Sequence, residues 1–143
     1  MISSKTYYVI GLFLSPIILT GCSFVAEDGD WDPIQITVNG NKCKSSTYAI
    51  PVSGGEYKIF SKNYGSLWLN TVKENGLIIW PKYNEVLDFK DINLTDEWYK
   101  VKYDETGNIV VDIEPIDNEV MMRSLTFDVQ HGDAFGSITL QQE

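Results

Sequence analysis

Between residues 34 and 140, apolar side chains return at every second position, and short turn sequences cut the pattern into pieces. A two-residue repeat gathers the apolar groups of a segment on one side of an extended strand, whereas a helix needs a period of about 3.6. Ile34, Ile36 and Val38 alternate with polar neighbours before Asn39-Gly40, a dipeptide suited to a tight hairpin. A run at Tyr48-Ala49-Ile50-Pro51-Val52 ends in Ser53-Gly54-Gly55, and Tyr57 and Ile59 precede the turn Lys62-Asn63-Tyr64-Gly65. Runs over residues 68–72 and 77–80 flank Glu74-Asn75-Gly76. Tyr99, Val101 and Tyr103 pass through Glu105-Thr106-Gly107-Asn108 into Ile109, Val111 and Ile113. Leu125, Phe127 and Val129 reach the reversal His131-Gly132-Asp133, and residues 135–140 return. Short strands at this spacing, about 7–9 of them, predict an all-β, immunoglobulin-like sandwich of antiparallel strands. Residues 82–97 break the rhythm, with Val86, Leu87, Phe89, Ile92 and Leu94 set among acids, and read as an insert containing one helical turn.

The chain before residue 34 follows different chemistry. Lys5 precedes an apolar stretch over residues 7–18, and Leu19-Thr20-Gly21-Cys22 follows at once, the layout of an export signal ending in the lipobox of bacterial lipoproteins. Cleavage before Cys22 and a diacylglyceryl group on its thiol (lipidation, with palmitate-type chains) are therefore expected. A spanning helix would need roughly 20 apolar residues, more than this stretch supplies. Removing 21 of 143 residues leaves 122, one domain's worth, and takes Lys5 with it, moving the formal charge from −9 to −10. Residues 22–33 read as a solvated acidic tether, from Glu27-Asp28-Gly29-Asp30-Trp31-Asp32. Acids just after the lipidated cysteine resemble the surface-export signals of lipoproteins in Bacteroidetes-type bacteria.

Charge and residue counts exclude several functions. Eleven Lys and Arg against twenty Asp and Glu, with no basic cluster, offer no grip on nucleic acid or on anionic headgroups, so the acyl chains carry the membrane contact. With Cys22 acylated, Cys43 has no disulfide partner and reads as a small buried apolar group. His131 is the only histidine, which leaves His-based metal centres and a serine triad little to draw on, and it reads as an exposed turn residue. No pair among the twenty acids is singled out as a glycosidase pair. Asp28, Asp30 and Asp32 open like a calcium loop, but Pro33 stands where that loop needs glycine. Asn93-Leu94-Thr95 matches a glycosylation sequon that a bacterial lipoprotein would not use. The reading is a non-enzyme without cofactor or metal.

What remains is aromatic. Sugar rings stack their C–H faces on exposed Trp and Tyr while amides and carboxylates read the hydroxyls. Trp80, Tyr83, Trp98 and Tyr64 lie in or near loops and are the candidate ligand-binding residues, fed by the 82–97 insert. Trp98 falls out of phase with Tyr99, Val101 and Tyr103 and reads as an exposed platform, whereas Trp68 is expected to fill the core or close an end.

Two stretches together resemble a BACON-type domain. Residues 52–69 carry Ser53-Gly54-Gly55, Tyr57-Lys58-Ile59 and Trp68-Leu69. Residues 109–142 carry Asn118, Arg123-Ser124-Leu125-Thr126-Phe127, Gly132-Asp133 and Ile138-Thr139-Leu140-Gln141-Gln142. The resemblance spans most of residues 34–143, and the 82–97 insert departs from the shortest pattern. It implies an immunoglobulin-like sandwich in a cell-surface or periplasmic protein of polysaccharide- or mucin-handling systems, binding carbohydrate or acting as a spacer. It carries no catalytic residues. Arg123 would pair with a carboxylate at a strand end, and Gln141 would be a polar residue of an edge strand. The expectation is an outer-membrane lipoprotein, facing outward or into the periplasm, that binds glycan or mucin. The alternative is a structural module docking on a protein partner of a surface complex.

Overall fold

A computed structural model describes residues 30–43, 45–81, 92–117 and 122–143. The signal segment, Cys22 and Tyr83 lie outside them. Eleven strands are described: β1 (Ile36–Val38), β2 (Asn41–Lys42), β3 (Thr47–Ile50), β4 (Gly55–Ser61), β5 (Trp68–Glu74), β6 (Leu77–Trp80), β7 (Asn93–Thr95), β8 (Tyr99–Tyr103), β9 (Ile109–Ile113), β10 (Arg123–His131) and β11 (Ala134–Gln142). They form a six-stranded sheet, β2-β1-β4-β9-β8-β7, and a five-stranded sheet, β3-β11-β10-β5-β6.

The strand order is immunoglobulin-like. β1-β4-β9-β8 repeats the A-B-E-D sheet, and β11-β10-β5-β6 repeats G-F-C-C′. After β1 the chain crosses between sheets, and β3 pairs parallel with β11, Thr47 opposite Thr139. Every other pairing is antiparallel. The period-two reading undercounted because two short edge strands lack its signal. Asn41 and Lys42 carry no apolar group, and Asn93–Thr95, part of the insert, is a strand whose Leu94 sits opposite Val101. Of the insert 82–97, expected to hold one helical turn, residues 82–91 lie outside the described residues and residues 92–97 hold no helix.

Alternation produces the core directly. Tyr57 and Ile59, Ile109, Val111 and Ile113, and Tyr99 and Val101 point inward from one sheet. Leu69 and Val72, Leu125, Phe127 and Val129, and Ile138 and Leu140 meet them from the other. Burying each such side chain stabilises by about 1.5–3 kcal/mol before chain entropy is counted. No cysteine stands on β4 or β10, where antibody domains place their disulfide, so this apolar layer joins the sheets without a crosslink. Cys43 is only half-buried, and burial pushes its thiol pKa up.

Two Asn-Gly turns work as expected. Asn39 and Gly40 (φ 50° and 79°) and Asn75 and Gly76 (φ 47° and 86°) take the left-handed conformations a tight hairpin needs. The Trp80–Pro81 peptide is cis.

Candidate functional site: an aromatic row on the outer sheet face

The three aromatic candidates among the described residues, Trp80, Trp98 and Tyr64, do not come together. Trp80 ends β6 opposite Val72 and is a buried member of the core. Trp98 is half-buried and fully engaged. Its indole N–H donates to Glu74 Oε1 at 2.8 Å, the Arg123 guanidinium lies 4.3 Å above its ring, and Tyr99 meets it edge-on. Tyr64 lies at the other end of the molecule: Arg123 and His131 bound the nine-residue β10, roughly 26 Å long. Its hydroxyl donates to the Asp32 carbonyl at 2.7 Å, and its ring stacks on His131 at 4.9 Å.

The end around Trp98 is closed by polar groups. Gln142, 1% exposed, donates through Nε2 toward the carbonyls of Pro51, Val52 and Glu114 and accepts from Arg123 Nε at 2.8 Å. Arg123 also donates to the Glu114 and Pro115 carbonyls, so among the described residues its hydrogen bonds go to backbone and an amide rather than to the expected carboxylate. Burial pulls its pKa down, opposed by the charges of Glu114 and Glu74. Tyr99 is pushed well above the usual tyrosine range by burial and by the neighbouring carboxylates of Glu74 and Asp96. β11 lies between β3 and β10, so Gln141 is not on an edge strand; its side chain reaches Glu143.

The opposite end, where residues 30–35 enter, is ringed by aromatics. Trp31 lies against Gly132, where an added Cβ would come within 3.1 Å of its ring, and near Tyr64 at 6.2 Å. The tether's last residues are exposed yet tied to the domain: besides the Asp32 bond, Asn63 Nδ2 donates to the Pro33 carbonyl at 3.0 Å. His131 is the last residue of β10 and half-buried, not an exposed turn residue. It stacks between Tyr64 and Trp68, with Nδ1 2.9 Å from the Ser66 carbonyl. A carbonyl can only accept, so the ring proton there sits on Nδ1.

Beside this cluster the outer face of the five-stranded sheet carries a row that the sequence reading passed over. Trp68, Gln130 and Phe135 are directly paired across β5, β10 and β11. Paired residues share a face, and the inward Leu69, Val129 and Ile138 fix that face as the outer one. Trp68 is 44% exposed and Phe135 65%, two strand spacings or roughly 10 Å apart. Between them the Gln130 amide is held, accepting from Asn70 at 3.1 Å and donating to the Gly132 carbonyl at 2.7 Å.

The next outward row is Thr71, Asp128 and Ser137, where Asp128 accepts from Thr71, Ser137 and Lys73. Desolvation would raise the Asp128 pKa, but hydrogen bonds from Lys73, Thr71 and Ser137 outweigh it and hold the carboxyl below its usual value. Two apolar rings flanking a fixed amide, with hydroxyl, carboxylate and ammonium groups in the adjoining row, can stack on sugars and read their hydroxyls. Among the described residues no group of three His, Cys, Asp or Glu side chains could hold a metal ion.

The signal for Phe135 was present in the sequence, because 135 is out of phase with Ile138 and Leu140. Trp68 is likewise out of phase with Leu69, but a bulge between Asp128 and Val129 spoils the count toward Val72.

No protein-family model and no curated protein matches the chain. Among solved structures, a protein from Bacteroides thetaiotaomicron determined by NMR is similar at 27% identity and a TM-score of 0.61, covering 86% of this chain and 97% of that one. The N-terminal Ig1-2 module of the Drosophila receptor protein tyrosine phosphatase DLAR matches at 15% identity and a TM-score of 0.41, over 78% of this chain and 48% of that one. Titin domain M7 matches at 10% and 0.38, over 78% and 95%. The immunoglobulin-like character of this chain rests on its own strand order, and the Bacteroides protein shares its fold over nearly its whole length.

Proposed function

We propose that this chain is a cell-envelope lipoprotein, anchored through lipid on Cys22 in the outer membrane, whose sandwich binds a carbohydrate chain on the outer face of the five-stranded sheet. The observation that carries the binding reading is the Trp68–Gln130–Phe135 row. It exposes 65% of Phe135 and 44% of Trp68, large aromatic surface side by side on one sheet face. The anchor reading is carried by Lys5, the apolar run and Leu19-Thr20-Gly21-Cys22.

The test is a mucin and polysaccharide array probed with the mature domain and with Trp68→Ala and Phe135→Ala. Each substitution should weaken retention roughly tenfold or more, the equivalent of about 1.4 kcal/mol, and for Phe135→Ala the melting curve should stay in place. An array without signal, or unchanged signal in both variants, refutes carbohydrate binding on this face.

A second reading has its own observation. Leu77 and Ile78 are 75% and 61% exposed on β6, the outer strand of its sheet among the described residues. Such an edge can add a partner's strand. Under this assembly role, Ile78→Lys abolishes stoichiometric co-purification of one membrane protein and leaves glycan retention intact.

A further inference from the structure

The tether does more than connect. From Cys22 to Trp31 is nine residues, at most about 30 Å of extended chain. At Trp31 the chain is fixed to the domain by the ring's seat on Gly132, the Asp32–Tyr64 hydrogen bond and the Pro33–Asn63 hydrogen bond. Gly132 lies between the two strands that carry Gln130 and Phe135, and its carbonyl accepts from Gln130 Nε2. The clamp and the aromatic row therefore share one hairpin, at the end of the sandwich nearest the anchor.

We infer that the ligand of the outer face is the saccharide headgroup of a glycolipid in the bilayer that holds Cys22, rather than a free polysaccharide. This rests on both the lipidation and the glycan-binding readings above. An anchor of this length confines the site to a thin layer over the membrane, where a glycolipid headgroup meets it at an effective concentration in the millimolar range, so that weak ring stacking suffices. The headgroup should be uncharged. The chain from Cys22 onward carries a formal charge of −10, and Lys73, the ammonium in the outward rows beside the aromatics, is already paired with Asp128 at 2.7 Å. Phosphate-bearing headgroups would meet repulsion without a partner.

The test uses the acylated full-length mature chain in phosphatidylcholine vesicles containing a minor share of dihexosyl diacylglycerol labelled on its headgroup. Occupancy is read by energy transfer from tryptophan, and the matching soluble disaccharide serves as competitor. Lengthening the tether about fourfold with a Gly-Ser spacer before Glu27 should lower the competitor concentration for half-displacement roughly twofold, because the glycolipid diffuses freely in the bilayer plane and only the height of the layer grows, as about the square root of linker length. Trp68→Ala should abolish competitor-sensitive transfer with either tether.

An unchanged midpoint on lengthening overturns the inference. So does a Cys22→Ser form that binds the soluble disaccharide while the anchored chain shows no transfer, a result that leaves carbohydrate binding standing. No binding of disaccharide by that form removes the glycan reading and this inference with it. Absence of acyl mass on Cys22 removes the anchor reading in the same way.

Discussion

Where β11 finishes, each polar side chain drawn into the sandwich finds a partner inside it: Gln142 spans three carbonyls and Arg123, and Trp98 is held from below by Glu74 and from above by Arg123. Where the tether enters, Trp31 and Trp68 keep 44% of their surface in water and lean on one another through Tyr64 and His131. Both ends use tryptophan and hydrogen bonds, yet only one spends them on closure. The polar groups are engaged within the protein at both ends, so the closed end carries stability, and what the other end has left for the ligand we propose is the exposed face of its rings.

The sharpest way to break that division is at Gly54, in the closed end. Its φ is +68°, and a Cβ there would collide with the Ile113 carbonyl oxygen. The left-handed conformation alone costs a non-glycine residue about 1–2 kcal/mol, and relieving the collision requires β9 to move. Gly54→Ala should lower unfolding free energy by roughly 3 kcal/mol or more in urea titration. A loss below about 0.5 kcal/mol would mean this end is loose.

Gln142→Leu comes next. It keeps the volume and takes one of two donors from each of the Pro51, Val52 and Glu114 carbonyls, which keep Gly54, Ile116 and Arg123, while Arg123 Nε loses its acceptor. The expected loss is about 1–2 kcal/mol, seen as a lower Tm, because one donor left unpaired costs about 1–3 kcal/mol and the carbonyls keep a partner each. Trp31→Ala, in the open end, should cost much less than either, since its ring is half in water. Equal losses at Gln142 and Trp31 would erase the distinction between the ends.

The legibility of the two ends in the sequence differs for the same reason. The core was legible because Leu125, Phe127 and Val129, or Ile109, Val111 and Ile113, repeat with the period of the strand. The turns at Asn39-Gly40 and Asn75-Gly76 were legible because few dipeptides accept two positive φ values. The insert's β7 was not, since three residues with one apolar side chain carry no periodicity. At the sites, loop position proved a poor guide to exposure. Trp80 and Trp98 sit next to turns but are drawn in by Val72 and by Glu74 and Arg123, partners 8 to 25 residues away in sequence. Trp68 was expected in the core or at an end because a sandwich this size commonly uses tryptophan there, although its phase against Leu69, like that of Phe135 against Ile138, already placed it on the water side.

Acid probes the smallest of these effects, a turn at the open end. Asp104 is drawn up by desolvation, but hydrogen bonds from Lys58, Thr106 and Asn108 outweigh this and hold its carboxyl well below the usual range. With the folded pKa depressed, the unfolded chain binds the proton first as pH falls. The stabilisation is therefore complete above the unfolded value of about 3.9 and is lost as pH drops through the folded value. Asp128 adds to the loss in the same direction. Unfolding free energy should thus hold level from neutral pH to about 4 and fall below it, with a shallower fall in Asp104→Asn. Because Asp104 joins β8 to β9 beside the open end, the amides of Thr106 and Asn108 should lose exchange protection at a higher pH than those of β10 and β11. Simultaneous loss in all of them would show that the ends melt as one unit, and that the open end is as tightly built as the closed one.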